Sequence, residues 1–233
     1  MIDILVPVLG RPHNARPLVE SINAVTNTSI RILFLCTQGD TAQIDASSRA
    51  GAEWVICGWP AGRGDYARKI NHGLRHTEGE WVFMGADDIR FEAGWDTHAL
   101  KAAGDQHDVV ATNDMANAQV KRGDFGTHCL IRRRYVTDQG GTADGERGVV
   151  LFEGYDHNYV DRELCHVAQS RNRFVFARHS RVRHYHPLWK TAPFDATYKK
   201  GLRHGREDQA LFYSRAHLWD YVGLSAEERK LAA

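Results

Sequence analysis

Glu80-Trp81-Val82-Phe83-Met84-Gly85-Ala86-Asp87-Asp88-Ile89 is the stretch on which the reading of this chain turns. Trp81 to Met84 is a short, continuous apolar run of the kind buried on both faces of a sheet, and it ends on two adjacent carboxylates. Upstream, Ile4 to Val8, Ile30 to Cys36 and Glu53 to Cys57 repeat the strand signal, each closed by a turn. Between them lie helical patterns: Ala15, Leu18, Val19, Ile22 and Val25, a short segment opened by Gly39-Asp40, and a helix from Asp65 to about Arg75 with Tyr66, Ile70 and Leu74 on one face. The order β-α-β-α-β-α-β predicts an α/β fold with a mixed, mostly parallel sheet flanked by helices. Ligands of such sheets bind beyond the carboxyl ends of the strands. Pro7-Val8, Thr37 to Asp40, Gly58 to Gly64 and Asp87-Asp88 are therefore expected to share one rim.

Downstream the pattern is less regular. Asp108 to Thr112, Phe125 to Ile131 and Phe174 to Tyr185 read as strands, Asn158 to Ala168 as a helix, and 207–230 as a C-terminal helical segment. The whole chain is expected to be one domain, with a ligand-binding half to about residue 92 and a second half completing it. At 233 residues and 42% hydrophobic composition it can bury a sizeable core. It has no run of about 18 apolar residues, so no membrane span is expected. The N-terminus reads as a strand, not as an export signal, and a cytoplasmic location is the expectation. Cys36, Cys57, Cys129 and Cys165 lie far apart, which argues against a zinc or disulfide framework. The net charge of +1 hides an asymmetry: residues 121–206 carry 17 Lys/Arg against 9 Asp/Glu. That excess points to an anionic partner, a diphosphate or a nucleic acid.

Asp87 and Asp88 offer the hard oxygens that Mg2+ or Mn2+ prefers; the plain alternative is a solvated turn. His184 and His186, two apart in a strand, face one side and can join a metal or diphosphate site. Arg63, Lys69, Lys199, Lys200, Arg203 and Arg206 are candidate phosphate contacts. Asp65 either bonds a nucleoside or caps its helix. Trp189 and Tyr155 are candidate stacking platforms for an acceptor, whereas Trp95 reads as core.

Gly64-Asp65-Tyr66-Ala67-Arg68-Lys69-Ile70-Asn71-His72-Gly73, followed by the Glu80 to Ile89 stretch, resembles the donor-binding half of family 2-type GT-A glycosyltransferases. Leu5 to Pro12 resembles their first strand and nucleotide-contacting turn, and Tyr159-Val160-Asp161-Arg162-Glu163-Leu164 their acidic segment. The likeness covers roughly residues 2 to 190. It implies a metal-assisted transferase that takes a sugar from a nucleotide-diphosphate donor, with inversion, to an acceptor hydroxyl on a glycan, protein, small molecule or modified DNA base. The donor contacts carried over are Pro7, Val8, Arg11, Asp40, Arg63, Asp65, Lys69 and Asp87. The metal (Mn2+ or Mg2+) falls to Asp87 and Asp88 with His184 or His186, and the general base to Asp161, with Asp156 and then Glu163 as rivals. Three departures stand out: Gly85 holds the place of the usual first aspartate, only Asp40 remains of the second-strand acidic turn, and Val160 replaces a glutamate.

Two other readings stay open. The basic 121–206 segment fits a nucleic-acid-binding module, although no recognised motif accompanies it. A sugar nucleotidyltransferase would need a longer glycine-rich basic loop than Gly10-Arg11-Pro12 supplies.

Overall fold

The computed structural model describes residues 1–219, so the last part of the expected C-terminal helical segment lies outside the described residues. Its first half alternates as the sequence predicts: β1 (Ile2–Pro7), α1 (Ala15–Val25), β2 (Ile30–Thr37), α2 (Thr41–Arg49), β3 (Glu53–Cys57), α3 (Asp65–Arg75) and β4 (Trp81–Met84). The chain continues through β5 (Ile89–Phe91), α4 (Trp95–Ala103), β6 (Val109–Asp114), β7 (Cys129–Arg132), α5 (Arg133–Gln139), α6 (Val160–Ser170), β8 (Phe174–His184), α7 (Ala196–Leu202) and α8 (Gly205–Arg215).

All the strands join one sheet in the order β3-β2-β1-β4-β7-β6-β8-β5. β3, β2, β1 and β4 run parallel, as their crossover helices require. β7 is antiparallel to both β4 and β6, and β5 is antiparallel to β8. Side chains alternate across the strands, so the core has two layers. Leu5, Val82 and Met84 pack with Ile70 and Leu74 of α3 and with Leu164 of α6. Ile4, Val6 and Phe83 pack with Leu18 and Ile22 of α1 and with Trp95 of α4. Trp95 is fully buried, as expected, and donates from Nε1 to Thr26 Oγ1 at 2.9 Å.

β5 and α4 escape the sequence reading. Three strand residues are too few to show a period, and β5 exists because it pairs with β8 (Ile89 opposite His184). That pairing carries the end of β8 to the end of β4. Gly85 marks the same junction: its N–H donates to Leu5 O at 2.8 Å, and a Cβ there would lie 2.8 Å from that oxygen. An aspartate at this position would force the two backbones apart. The departure from the resembled motif thus has a steric cause.

All four cysteines are free and buried. Among the described residues no helix is long and apolar enough to cross a membrane.

Candidate active site

A cavity of about 340 Å³ opens at the carboxyl ends of β1 and β4. Pro7, Val8, Gly62, Asp65 and Tyr66 form one wall, and Asp87, Asp88, His128 and His184 its floor. Asp156 to Asp161 face them, and His186, Trp189, Tyr198 and Lys200 stand at the far side. The expected rim therefore forms, except for the 37–40 turn, which stops short of the cavity.

Asp87 and Asp88 are buried, at 5% and 7% exposure, where an uncompensated carboxylate costs several kcal/mol. Compensation comes from distant parts of the chain. Arg11 Nη1 lies 3.3 Å from Asp87 Oδ1 and 2.9 Å from Asp88 Oδ2. The same guanidinium donates two bonds to Asp195, at 2.8 and 3.1 Å, and lies over the Tyr198 ring. Tyr198 donates its hydroxyl proton to Asp88 Oδ2 at 2.6 Å. His184 stands between two acids, with Nε2 3.4 Å from Asp88 Oδ1 and Nδ1 3.4 Å from Asp114 Oδ2.

These contacts divide the pair. Burial, then the charge of Asp88, push the Asp87 carboxyl up, and Arg11 opposes them. Burial would also raise Asp88, but His184, Tyr198 and Arg11 hold it below its ordinary value. Burial disfavours a charged His184, yet Asp88 and Asp114 lift it to about 10. His128, whose Nδ1 is 3.1 Å from Met84 O, is pushed down to about 4 by burial and by His184.

Asp161 sits across the cavity on the first turn of α6. Its Oδ1 accepts from the Arg162 N–H at 2.9 Å, and among the described residues no salt bridge reaches it. Burial raises its carboxyl to about 6, against the opposing pull of Arg162. The preceding Tyr159 has φ 69°, an unusual conformation for a bulky residue, and it turns the chain into α6.

Of the two histidines, His184 touches the acidic pair. His186 Nδ1 instead accepts from Leu188 N at 3.2 Å, and its ring lies 6.0 Å from Trp189, which lines the cavity. Asp156 also lines the cavity. Its neighbour in the chain, Tyr155, does not: it is fully buried and donates to Glu163 at 2.8 Å, which corrects its expected role as an acceptor platform. Glu163, bonded to Arg215, is likewise committed to structure.

Several expected donor contacts also differ in placement. Lys69 spends its three protons on Val8 O, Thr37 Oγ1 and Asp65 at 2.7–2.8 Å, making it a buried strut under the rim. Asp65 is thereby neutralised; it also accepts from Trp59 Nε1, while Gly64, in the left-handed region, caps α3 in its stead. Arg11 lines the cavity with its guanidinium engaged by carboxylates. Asp40 caps α2 and accepts from the Gly10 N–H, and the exposed Arg63 reaches Gly154 O, so neither lines the cavity. Asp114 behind His184, Asp195 behind Arg11, and Tyr198 at the far side support the floor residues, and sequence reasoning misses all three. Tyr198 and Asp195 sit beside the basic 199–206 run, and no local pattern marks them.

No family model matches the sequence, and a search of curated proteins finds no relative. Solved structures do match. A mannosyltransferase from Pyrobaculum calidifontis, in complex with GDP-Man and Mn2+, superposes with TM-score 0.68 at 14% identity, over 99% of this chain and 67% of that one. The fold is that of the GT-A glycosyltransferases. Glucosyl-3-phosphoglycerate synthase from Mycobacterium tuberculosis, with Mn2+, UDP and phosphoglyceric acid, gives 0.64 at 14% identity over 92% of this chain and 78% of its own. S. aureus TarS with UDP-GlcNAc gives 0.62 at 13% identity, over 100% and 70%. The likeness extends through the GT-A sheet and its second half alike.

Proposed function

We propose that this protein is a glycosyltransferase that moves a sugar from a nucleotide-diphosphate donor to an acceptor hydroxyl, with inversion and with help from Mn2+ or Mg2+. One observation carries the reading: the cavity sets a buried acidic pair at the end of β4 against a lone carboxylate on α6.

The donor set fits a divalent cation. Among the described residues Asp87 Oδ2 and Asp88 Oδ1 are buried oxygens without a hydrogen-bond partner, and His184 Nε2 lies 3.4 Å from the latter. Among the described residues no three His, Cys, Asp or Glu side chains are grouped so as to hold a metal ion by themselves. A cation there would need further oxygens from the bound donor. Asp87 and Asp88 would hold the ion, joined by His184 once that imidazolium gives up a proton, and the ion would supply charge neutralisation for the departing diphosphate.

The chain's own residues do the rest. Arg11 and Tyr198 fix the rotamers of the acidic pair, and Lys69 ties the β1 and β2 ends to α3, setting the wall on which the nucleoside rests. Asp161 takes the proton from the acceptor hydroxyl as that oxygen attacks the anomeric carbon from the face opposite the leaving group. A carboxylate with a raised pKa is a better base than an ordinary one. Trp189 offers a flat apolar face to the acceptor.

Thermal denaturation with UDP-, GDP-, dTDP- and CDP-linked sugars, each with Mn2+ or with EDTA, tests the reading. Binding at 100-fold excess over Kd adds roughly 2.7 kcal/mol to stability. A shift with one nucleotide, dependent on metal and lost in Asp88→Asn, supports the donor site. The absence of any shift across the panel would refute it.

A further inference from the structure

The mouth of the cavity has an unusual surface. Eight large apolar side chains are exposed among the described residues, and four of them fall between 185 and 202: Tyr185, Leu188, Phe194 and Leu202, at 37–52% exposure. Leu188 and Leu202 line the cavity itself. Phe194 precedes Asp195, which pins the segment to Arg11. Lys190, Lys199, Lys200, Arg203 and Arg206 are interleaved with them and exposed. No ion pair engages any of these five among the described residues, and Asp195, the one acid from 184 to 206, is already neutralised by Arg11.

Apolar side chains held in water beside unpaired cations match one partner chemistry well: a surface that is anionic at its face and apolar just beneath. A nucleic acid would satisfy the cations but leave the aliphatic Leu188 and Leu202 with nothing to bury against. We propose that the 185–206 rim docks on an anionic lipid bilayer, with the cavity mouth facing the membrane. The acceptor hydroxyl is then borne by a lipid or a lipid-linked molecule, a consequence that rests on the glycosyltransferase reading, whereas the docking itself does not.

The test is co-sedimentation of the full chain with vesicles of mixed phosphatidylcholine and phosphatidylglycerol, and with vesicles of phosphatidylcholine alone. Binding is expected to the mixed vesicles only, and to weaken with salt. Lys199→Glu/Arg203→Glu/Arg206→Glu should lower the partition coefficient roughly a hundredfold or more, and Phe194→Ser roughly fivefold to tenfold. Both alter exposed positions, and unchanged melting curves verify that they fold. Failure of the native chain to bind mixed vesicles overturns the proposal. So does loss in the charge variant with none in Phe194→Ser, especially if a DNA duplex binds as tightly, because that pattern describes a general polyanion site. Nucleotide binding, measured without vesicles, is scored separately. If it is absent while the vesicle results hold, the docking surface stands and the glycosyltransferase reading falls.

Discussion

Two carboxylate sites face each other across the cavity, and their surroundings differ in kind. Asp88 lies at a strand end within reach of Arg11, His184 and Tyr198, which hold it ionised. Its neighbour Asp87 has the salt bridge to Arg11 and is pushed up by burial and by the charge of Asp88. Asp161 has, among the described residues, backbone amides of its own helix start and the charges of Arg162 and His184. These are too little to offset burial, and its pKa is raised. The contrast separates two tasks that use one functional group. A pair oriented by shared cationic partners, with Asp88 held ionised, suits a cation, whereas a carboxylate standing apart from such partners suits proton abstraction. Burial alone predicts neither task, since it pushes all three carboxyls upward; the neighbours decide.

The sharpest way to break this contrast is to remove each side in turn. Asp87→Ala should cut metal-dependent transfer by roughly a thousandfold, the several kcal/mol that a bound ion contributes to charge stabilisation, and should abolish the metal-dependent thermal shift with nucleotide. Asp161→Asn should lower kcat by roughly 10²–10⁴ while leaving that shift intact. In the native chain, kcat/KM should rise through an apparent pKa near 6, the value to which the Asp161 carboxyl is raised, and the limb should vanish in Asp161→Asn. If both variants lose nucleotide binding equally, the two carboxylate sites are one site and the division of labour is wrong.

Arg11 sharpens the comparison from the other side. Its guanidinium serves three carboxylates at once, so Arg11→Ala leaves buried Asp87 and Asp88 without their shared cation. A loss of about 3 kcal/mol in urea unfolding is expected without metal. Adding Mn2+ should recover more stability in Arg11→Ala than in the native chain, because the ion then meets carboxylates with less competing positive charge. Equal gains in both would show that Arg11 does not compete for that charge.

The two sites also differ in how far the sequence discloses them. The apolar run Trp81 to Met84, its terminal Asp87-Asp88 and the β-α order before it are local patterns, and the parallel half of the sheet follows from them directly. Asp161 is legible through its place in an acidic segment at a helix start. What compensates Asp88 is only partly so: the His184 spacing is visible, but Arg11, Asp195 and Tyr198 meet it from 77 to 110 residues away in sequence or through one another. For a related reason Tyr155 fails as a lining residue, and Lys69 reaches the cavity wall with its ammonium already committed. An aromatic ring in a loop and a lysine on a helix reveal nothing about which way they point, and here both turn inward to fixed partners. β5 is invisible because its three residues are a strand only by virtue of β8.

The smallest effect is on stability, and its sign distinguishes the two sites most cleanly. The Asp161 carboxyl moves from 3.8 in an ordinary setting to about 6 in the fold, so the folded state favours its protonated form. Above about pH 6 the native protein carries a poorly solvated charge that the unfolded chain carries in water, and this costs stability. Below about pH 4 both states are protonated and the cost is gone. Asp161→Asn should therefore stabilise the protein at neutral pH and leave it unchanged in acid. The gap between the two carboxyl values corresponds to at most about 3 kcal/mol, and the partial solvent access of Asp161 brings the expectation to about 1–2 kcal/mol. Asp88→Asn should do the opposite at neutral pH, because its ionised form is the one that Arg11 and His184 hold. Urea unfolding of both variants across this pH range tests the pair together. If Asp161→Asn destabilises at neutral pH, its carboxylate is a structural helix-start group after all, and the base belongs to Asp156.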